Sequence, residues 1–206
     1  IPGDLPKTPM GSEMEAKCLA EQICRLVDAT QGHTLVLFTS YSLMGAVYNQ
    51  VKGRMAFPLM EVWRHSQDII HRFKQAQNAV LFAAGSCWEG VDFPGDMVSS
   101  LIIVRLPFPV PDPLSEAERE QYPTLQDYIK AVVIPDMQVK LRQGFGRAIR
   151  TETDTCVVSI LDHRAAAGER YHKAVLETLP PIRITAKIED VEDFIRAKKG
   201  PDYFMP

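Results

Sequence analysis

The chain has 206 residues, 46% hydrophobic and 24% charged, the balance of a globular protein with enough apolar side chain for one large core. A net charge of -3 and a pI near 6.0 exclude a broadly basic surface, so any nucleic-acid contact has to be local. The longest apolar runs, AVLFAAG and SLIIVRLPFPV, fall well short of the roughly 18 residues of a membrane span, and the four cysteines form no CxxC pair that would frame a zinc site.

In chain order, EMEAKCLAEQICRLVDAT (13–30) has the period of an amphipathic helix, with Met14, Cys18, Leu19, Ile23, Leu26 and Val27 near one face and Gly32 as a stop. HTLVLFTS (33–40) is a continuous apolar run with polar ends, the pattern of a strand covered on both faces in a parallel sheet. AVLFAA (79–84), SLIIVRL (100–106) and TCVVSIL (155–161) repeat it, and AFPLMEV (56–62) is a weaker strand. Between them the pattern predicts helices over 42–52, 66–76, 115–121, 125–149 with an interruption near Pro135, 168–178 and 189–198, while PFPVPDP (107–113) has to be extended loop. Strands alternating with helices predict an α/β fold: a doubly wound, mainly parallel sheet flanked by helices, with active groups gathered in loops at the carboxyl ends of the strands.

The segment QGFGRAIR (143–150) spends two glycines in a helical pattern, each at about 1 kcal/mol relative to Ala. On a helix, Gln143, Arg147 and Arg150 fall within about 60° of one another, opposite Leu141, Phe145, Ala148 and Ile149. Two guanidiniums on one side suit phosphate, because the planar fork donates bidentate hydrogen bonds to phosphoryl oxygens. Gly144 and Gly146 then read as clearance for an approaching ligand or chain; the plain alternative is a solvated face. GSCWEGVDFPGD (85–96), directly after the strand AVLFAA, offers Glu89 and Asp92 among glycines at 85, 90 and 95, a loop able to cradle a charged ligand or simply to turn with Trp88 and Phe93 packed inward.

Together with TLVLFTSYSLM (34–44), these segments resemble the second motor domain of superfamily 2 helicases, and more closely the DinG branch of the XPD/DinG family of DNA helicases. TLVLFTSYSLM is similar to motif IV, GSCWEGVDFPGD to motif V, and QGFGRAIR to motif VI with its pattern Q-x-x-G-R-x-x-R; RLPFPVPDP and SILDHR resemble the stretches that follow motifs V and VI. The resemblance covers about residues 14–181, and the segments occur in the family's order. It implies a RecA-like domain that meets a first motor domain across an ATP cleft. Arg150 would then be the arginine finger, Arg147 a support for the phosphates and Gln143 an organiser of the cleft. Glu89, Gly90 and Asp92 would couple nucleotide state to the strand groove, and Thr39, Ser40, Tyr41, Ser86 and Trp88 would contact single-stranded DNA. ATP and Mg²⁺ would be bound jointly with the first motor domain of the same polypeptide, and an iron–sulfur cluster, where the family has one, belongs to that other half.

No G-x-x-x-x-G-K-[ST] and no DEAH-like quartet occurs in the chain, so it lacks the phosphate cradle and metal carboxylates of an ATPase and is expected to be inactive alone. With a start at Ile1 rather than Met, the expectation is one RecA-like domain over 1–206, a core of about 14–181 and a C-terminal helix and tail over 182–206, excised from a longer monomeric, cytoplasmic bacterial helicase that moves 5′ to 3′ and does not engage membranes. The competing reading is a non-catalytic RecA-like module that binds DNA or protein.

The five histidines show no metal-binding pairing and read as surface or turn residues. Trp63 and Trp88 are each able to stack on bases, but burial is the expectation for both, with Trp88 kept among the strand contacts by its place in motif V. HRAAAGERYHK (163–173) reads as a solvated helix face.

Overall fold

A computed structural model describes the chain except Asp4, residues 64–66, Glu89, Gly90, Asp92, Pro94, residues 150–153 and Pro206, and apart from the side chains of Gln67, Ser86 and Cys87. The apolar runs form five strands, β1 (Thr34–Phe38), β2 (Leu59–Val62), β3 (Val80–Ala84), β4 (Ser100–Ile103) and β5 (Val157–Ile160). They make one sheet of order β2-β3-β1-β4-β5 in which every pairing is parallel.

Alternation along the strands divides the core in two, because successive side chains leave a strand on opposite faces. Leu35, Leu37, Leu81, Ala83, Leu101 and Ile103 pack under α3 (Gln67–Gln75), α6 (Ile134–Phe145) and α7 (His172–Thr178). Val36, Phe38, Val80, Phe82 and Ile102 pack under α1 (Glu13–Thr30), α2 (Tyr41–Val51) and α8 (Glu189–Lys198). The sheet is therefore doubly wound. Burial of each large apolar side chain contributes about 1.5–3 kcal/mol before entropy is counted.

The helices follow local chemistry. Ser12 caps α1 by accepting from the Glu15 N–H at 3.1 Å, and Gln31 ends it in the left-handed region at φ 55°. On α1 the buried stripe is Ala16, Leu19, Ala20, Ile23, Leu26, Val27 and Thr30, whereas Met14 is 63% exposed. At about 100° per residue Met14 stands on the far side from Ile23, which corrects its place on the apolar face. Asp112 and Ser115 form a capping box with Pro113 in the first turn, so α4 (Pro113–Arg119) begins two residues before the pattern suggested and takes the last proline of PFPVPDP.

The long helical pattern after residue 124 is α5 (Leu125–Tyr128), a π-helical stretch (Ile129–Val133) and α6. Pro135 has no N–H to donate, and the register shifts just ahead of it: the Ile134 N–H bonds the Ile129 carbonyl, five residues back. α7 begins at His172 and not at 168, where Gly168 turns the chain at φ 82°.

The C-terminal segment seals the amino ends of the strands. α8 packs on α1, the Tyr203 hydroxyl donates to the Thr30 carbonyl at 2.8 Å, and the Tyr203 ring stacks on His33 at 4.0 Å. Lys199, nearly buried, donates to the Thr155 carbonyl at 2.9 Å and pairs with Asp96.

Candidate functional site

β1, β3 and β4 end at one carboxyl edge, and the chain leaves each of them into a segment singled out by sequence. After β1, Thr39 and Ser40 are exposed, and Ser40 caps α2 by accepting from the Leu43 N–H at 3.3 Å. Its hydroxyl proton stays available for a further acceptor. Tyr41 opens the helix, half-buried, with its ring against Gly85: a Cβ there would stand 2.9 Å from the Tyr41 hydroxyl, and Gly85 has φ 63°. Gly85 is thus required both by backbone and by space.

After β3, Gly85–Trp88 form a 3-10 turn. It carries the Trp88 indole inward, where Nε1 donates to the Phe38 carbonyl at the end of β1 at 2.9 Å. The ring's other edge lies on α6: a Cβ on Gly144 would meet Trp88 Cζ3 at 2.9 Å and Cε3 at 3.2 Å. Gly144 clears space for Trp88 of the same domain and not for a ligand, which corrects the reading of that glycine. Trp88 is 8% exposed with its N–H engaged, so its ring serves packing instead of stacking on bases, a correction to its inclusion among the strand contacts.

α6 ends at Phe145, and residues 146–148 continue as a turn. Leu141, Phe145 and Ala148 are buried and Ile149 packs beside them, the apolar side expected. Gln143 is exposed. Arg147, half-buried, donates from Nη1 to the Val91 carbonyl at 2.7 Å and from Nε to the Gln143 carbonyl at 3.4 Å. The structure therefore joins Arg147 to the Gln143 carbonyl one turn before it and fastens Arg147 to the loop after β3. Glu89, Gly90, Asp92 and Arg150 lie outside the described residues, as does the Ser86 side chain.

Among the described residues this edge offers a group for the phosphates of a magnesium nucleotide and no cluster for its metal ion. These two bonds use two of the five N–H donors of Arg147, a half-exposed fork of the kind that binds phosphate. Among the described residues no cluster of His, Cys, Asp and Glu could hold a metal ion.

A buried ion pair that sequence reasoning passed over stands beside this edge. Asp162, the second residue past β5, is 5% exposed and accepts from the Leu106 N–H at 2.9 Å and from Arg164 Nε at 2.9 Å and Nη2 at 2.7 Å. Burial pushes its carboxyl up, but the Arg164 guanidinium and the Leu106 amide outweigh that and hold it below the usual carboxylate value. Arg164 also lies over the Phe108 ring at 5.0 Å, so HRAAAGERYHK is no solvated helix face: its first arginine fixes the loop after β4. Arg105 in that loop pairs in turn with Glu15 of α1. The legible signal was a carboxylate immediately after an apolar strand, followed two residues later by an arginine.

Trp63, one residue past β2, is 44% exposed where burial was expected. Its ring lies on Tyr41, centroids 5.6 Å apart and planes 15° from parallel, so the stack supplies the cover that the core was expected to give.

The model of the helicase C-terminal domain family matches residues 23–182. The chain is 34% identical over 203 residues to the ATP-dependent DNA helicase YoaA of Haemophilus influenzae, covering 96% of this chain and 31% of that protein. It is 34% identical over 170 residues to the ATP-dependent DNA helicase DinG of Photobacterium profundum, covering 77% of this chain and 24% of that protein. Among solved structures an XPD helicase superposes with a TM-score of 0.69 at 25% identity, over 86% of this chain and 33% of that one. The chain thus spans about a third or less of the length of these relatives.

Proposed function

We propose that this chain, which belongs to the helicase C-terminal domain family and is the C-terminal domain of an XPD/DinG-type superfamily 2 helicase, serves as the second motor domain of an ATP-dependent DNA helicase beside a domain that carries the phosphate loop. The observation that supports this most is the convergence of three separate sequence segments at one sheet edge: Trp88 joins the end of β1 to α6, and Arg147 is tied to the loop after β3 with its guanidinium half-exposed. A surface module with no cleft to complete has no need for an arginine held by two backbone carbonyls at that edge.

ATP, when bound, supplies the phosphoanhydride whose cleavage drives the cycle. The work of this chain is electrostatic. Arg147 would hold charge near the phosphates, Arg150 would act as the arginine finger, and Gln143 would order the cleft between them; such a finger is worth about 10³ to 10⁵ in rate. Mg²⁺ would be held by the metal carboxylates of the first motor domain. Glu89, Gly90 and Asp92, flanking the Val91 carbonyl that Arg147 binds, would pass the nucleotide state to the strand groove. There Thr39, Ser40, Tyr41 and Ser86 would meet the backbone of single-stranded DNA, contacts that need hydroxyls and amides more than net positive charge. We further propose 5′ to 3′ movement, work in the bacterial cytoplasm and a monomeric state away from membranes; among the described residues no helix is long and apolar enough to cross a membrane.

The test is ATP hydrolysis by this chain alone, by a phosphate-loop domain of the same family alone, and by the two joined in one polypeptide, each with and without single-stranded DNA. The proposal predicts DNA-stimulated turnover in the joined form only. Equal turnover with and without this chain overturns it in favour of a non-catalytic module.

A further inference from the structure

Exposed single aromatics are common and by themselves mean nothing. Trp63 differs from that background in how it is held. One face of the indole is stacked on Tyr41, and its benzo edge lies against α2, where a Cβ on Gly45 would stand 3.6 Å from Trp63 Cη2. Tyr41 is backed in turn by Gly85, at whose position a Cβ would come within 2.9 Å of the Tyr41 hydroxyl. The result is a layer, Trp63 on Tyr41 on Gly85, that runs across the carboxyl ends of β2, β1 and β3. These are neighbours in the sheet, β3 pairing with both of the others. The outermost member keeps 44% of its surface open on the same edge as the exposed Thr39 and Ser40.

We infer that Trp63 is a stacking platform for an unpaired nucleobase of single-stranded DNA, preorganised by Tyr41 and Gly45. The inference rests on the reading of this edge as the strand groove and adds to it a contact with the base, where the hydroxyls of Thr39 and Ser40 serve only the backbone. The chemistry suits a motor that must move over any sequence: every base has a π-face, so an indole stacks on all four with little preference, whereas hydrogen bonds to base edges would discriminate. An indole already fixed against α2 and Tyr41 loses little freedom when a base arrives, which favours its use over a mobile aromatic.

The experiment is fluorescence anisotropy with the 206-residue chain and a short labelled oligodeoxythymidine, beside an oligomer of the same length and charge that lacks its bases. Trp63→Ala is expected to weaken binding of the oligodeoxythymidine by about 5- to 100-fold, Trp63→Phe by much less, and the wild-type chain is expected to bind the abasic oligomer no more tightly than Trp63→Ala does. Equal affinity of the wild-type chain for the two oligomers overturns the inference without recourse to any substitution, as does unchanged affinity in Trp63→Ala; the groove reading survives either result. If the folded wild-type chain binds neither oligomer, the groove reading itself fails and the inference with it.

Discussion

Trp88 and Gly144 meet edge to backbone, with room for a hydrogen and not for a methyl: a Cβ on Gly144 would stand 2.9 Å from the indole's Cζ3. Because the same indole donates to the Phe38 carbonyl at 2.9 Å, it cannot retreat without losing that bond. One side chain thereby fixes the distance between the end of β1, the loop after β3 and the helix that bears Gln143.

Gly144→Ala is predicted to destabilise the domain by about 1–3 kcal/mol, although Ala is the better helix former by about 1 kcal/mol. In a Trp88→Leu background the same change should cost little or become favourable. Urea denaturation of the four variants measures the coupling, and additive effects would contradict the contact.

The α/β class, the five strands and the two apolar faces of the sheet were legible in the sequence because β1, β3 and β4 are buried on both faces and read as unbroken apolar runs. α8 was legible to its end residues for a similar reason, since its charges and apolar positions keep a clean helical period. What was illegible depended on contacts between distant segments. Nothing near Gly144 announces that Trp88 will stand against it, and nothing near Trp63 announces that Tyr41 will cover it. Asp162 and Arg164 were visible as a charged pair after a strand, but their partner, the Leu106 amide, belongs to another loop. The candidate site was readable as motifs; its assembly was not.

Asp162→Ala is predicted to cost about 2–4 kcal/mol, since it strands a buried amide and a half-buried guanidinium together, and to lower the melting temperature by roughly 5–15 °C. The carboxyl is held below its ordinary value in the folded protein, so its stabilising effect is complete above the ordinary carboxylate range and is lost as pH falls through the lower folded value. The gap in stability between wild type and Asp162→Ala should therefore be constant at neutral pH and close in strong acid. Thermal melts at stepped pH follow it.

His33 gives a dependence at milder pH. Burial pushes its imidazole below the ordinary value, and the Tyr203 and Asp96 carbonyls restore only part of that. The unfolded chain then binds the extra proton more readily, so stability is full above about pH 6.5 and declines as pH falls from there to the lower folded value. His33→Asn, which tolerates the left-handed φ of 46°, should be less stable at neutral pH through loss of the Tyr203 stack, yet flatter in this window. An unchanged slope would contradict the assignment.

Tyr203→Phe is predicted to lose about 1–2 kcal/mol, because the Thr30 carbonyl that accepts its hydroxyl is buried at the end of α1. Hydrogen exchange should show the loss first at the amino ends of β1 and β4, leaving the opposite edge protected.

The most direct test of the motor reading is DNA-stimulated ATP hydrolysis by this domain joined to a phosphate-loop domain, comparing wild type with Arg150→Ala and measuring nucleotide binding in parallel. The account predicts a fall in turnover of about a thousandfold or more with nucleotide binding retained. Turnover equal to wild type would contradict it and leave QGFGRAIR without a catalytic role.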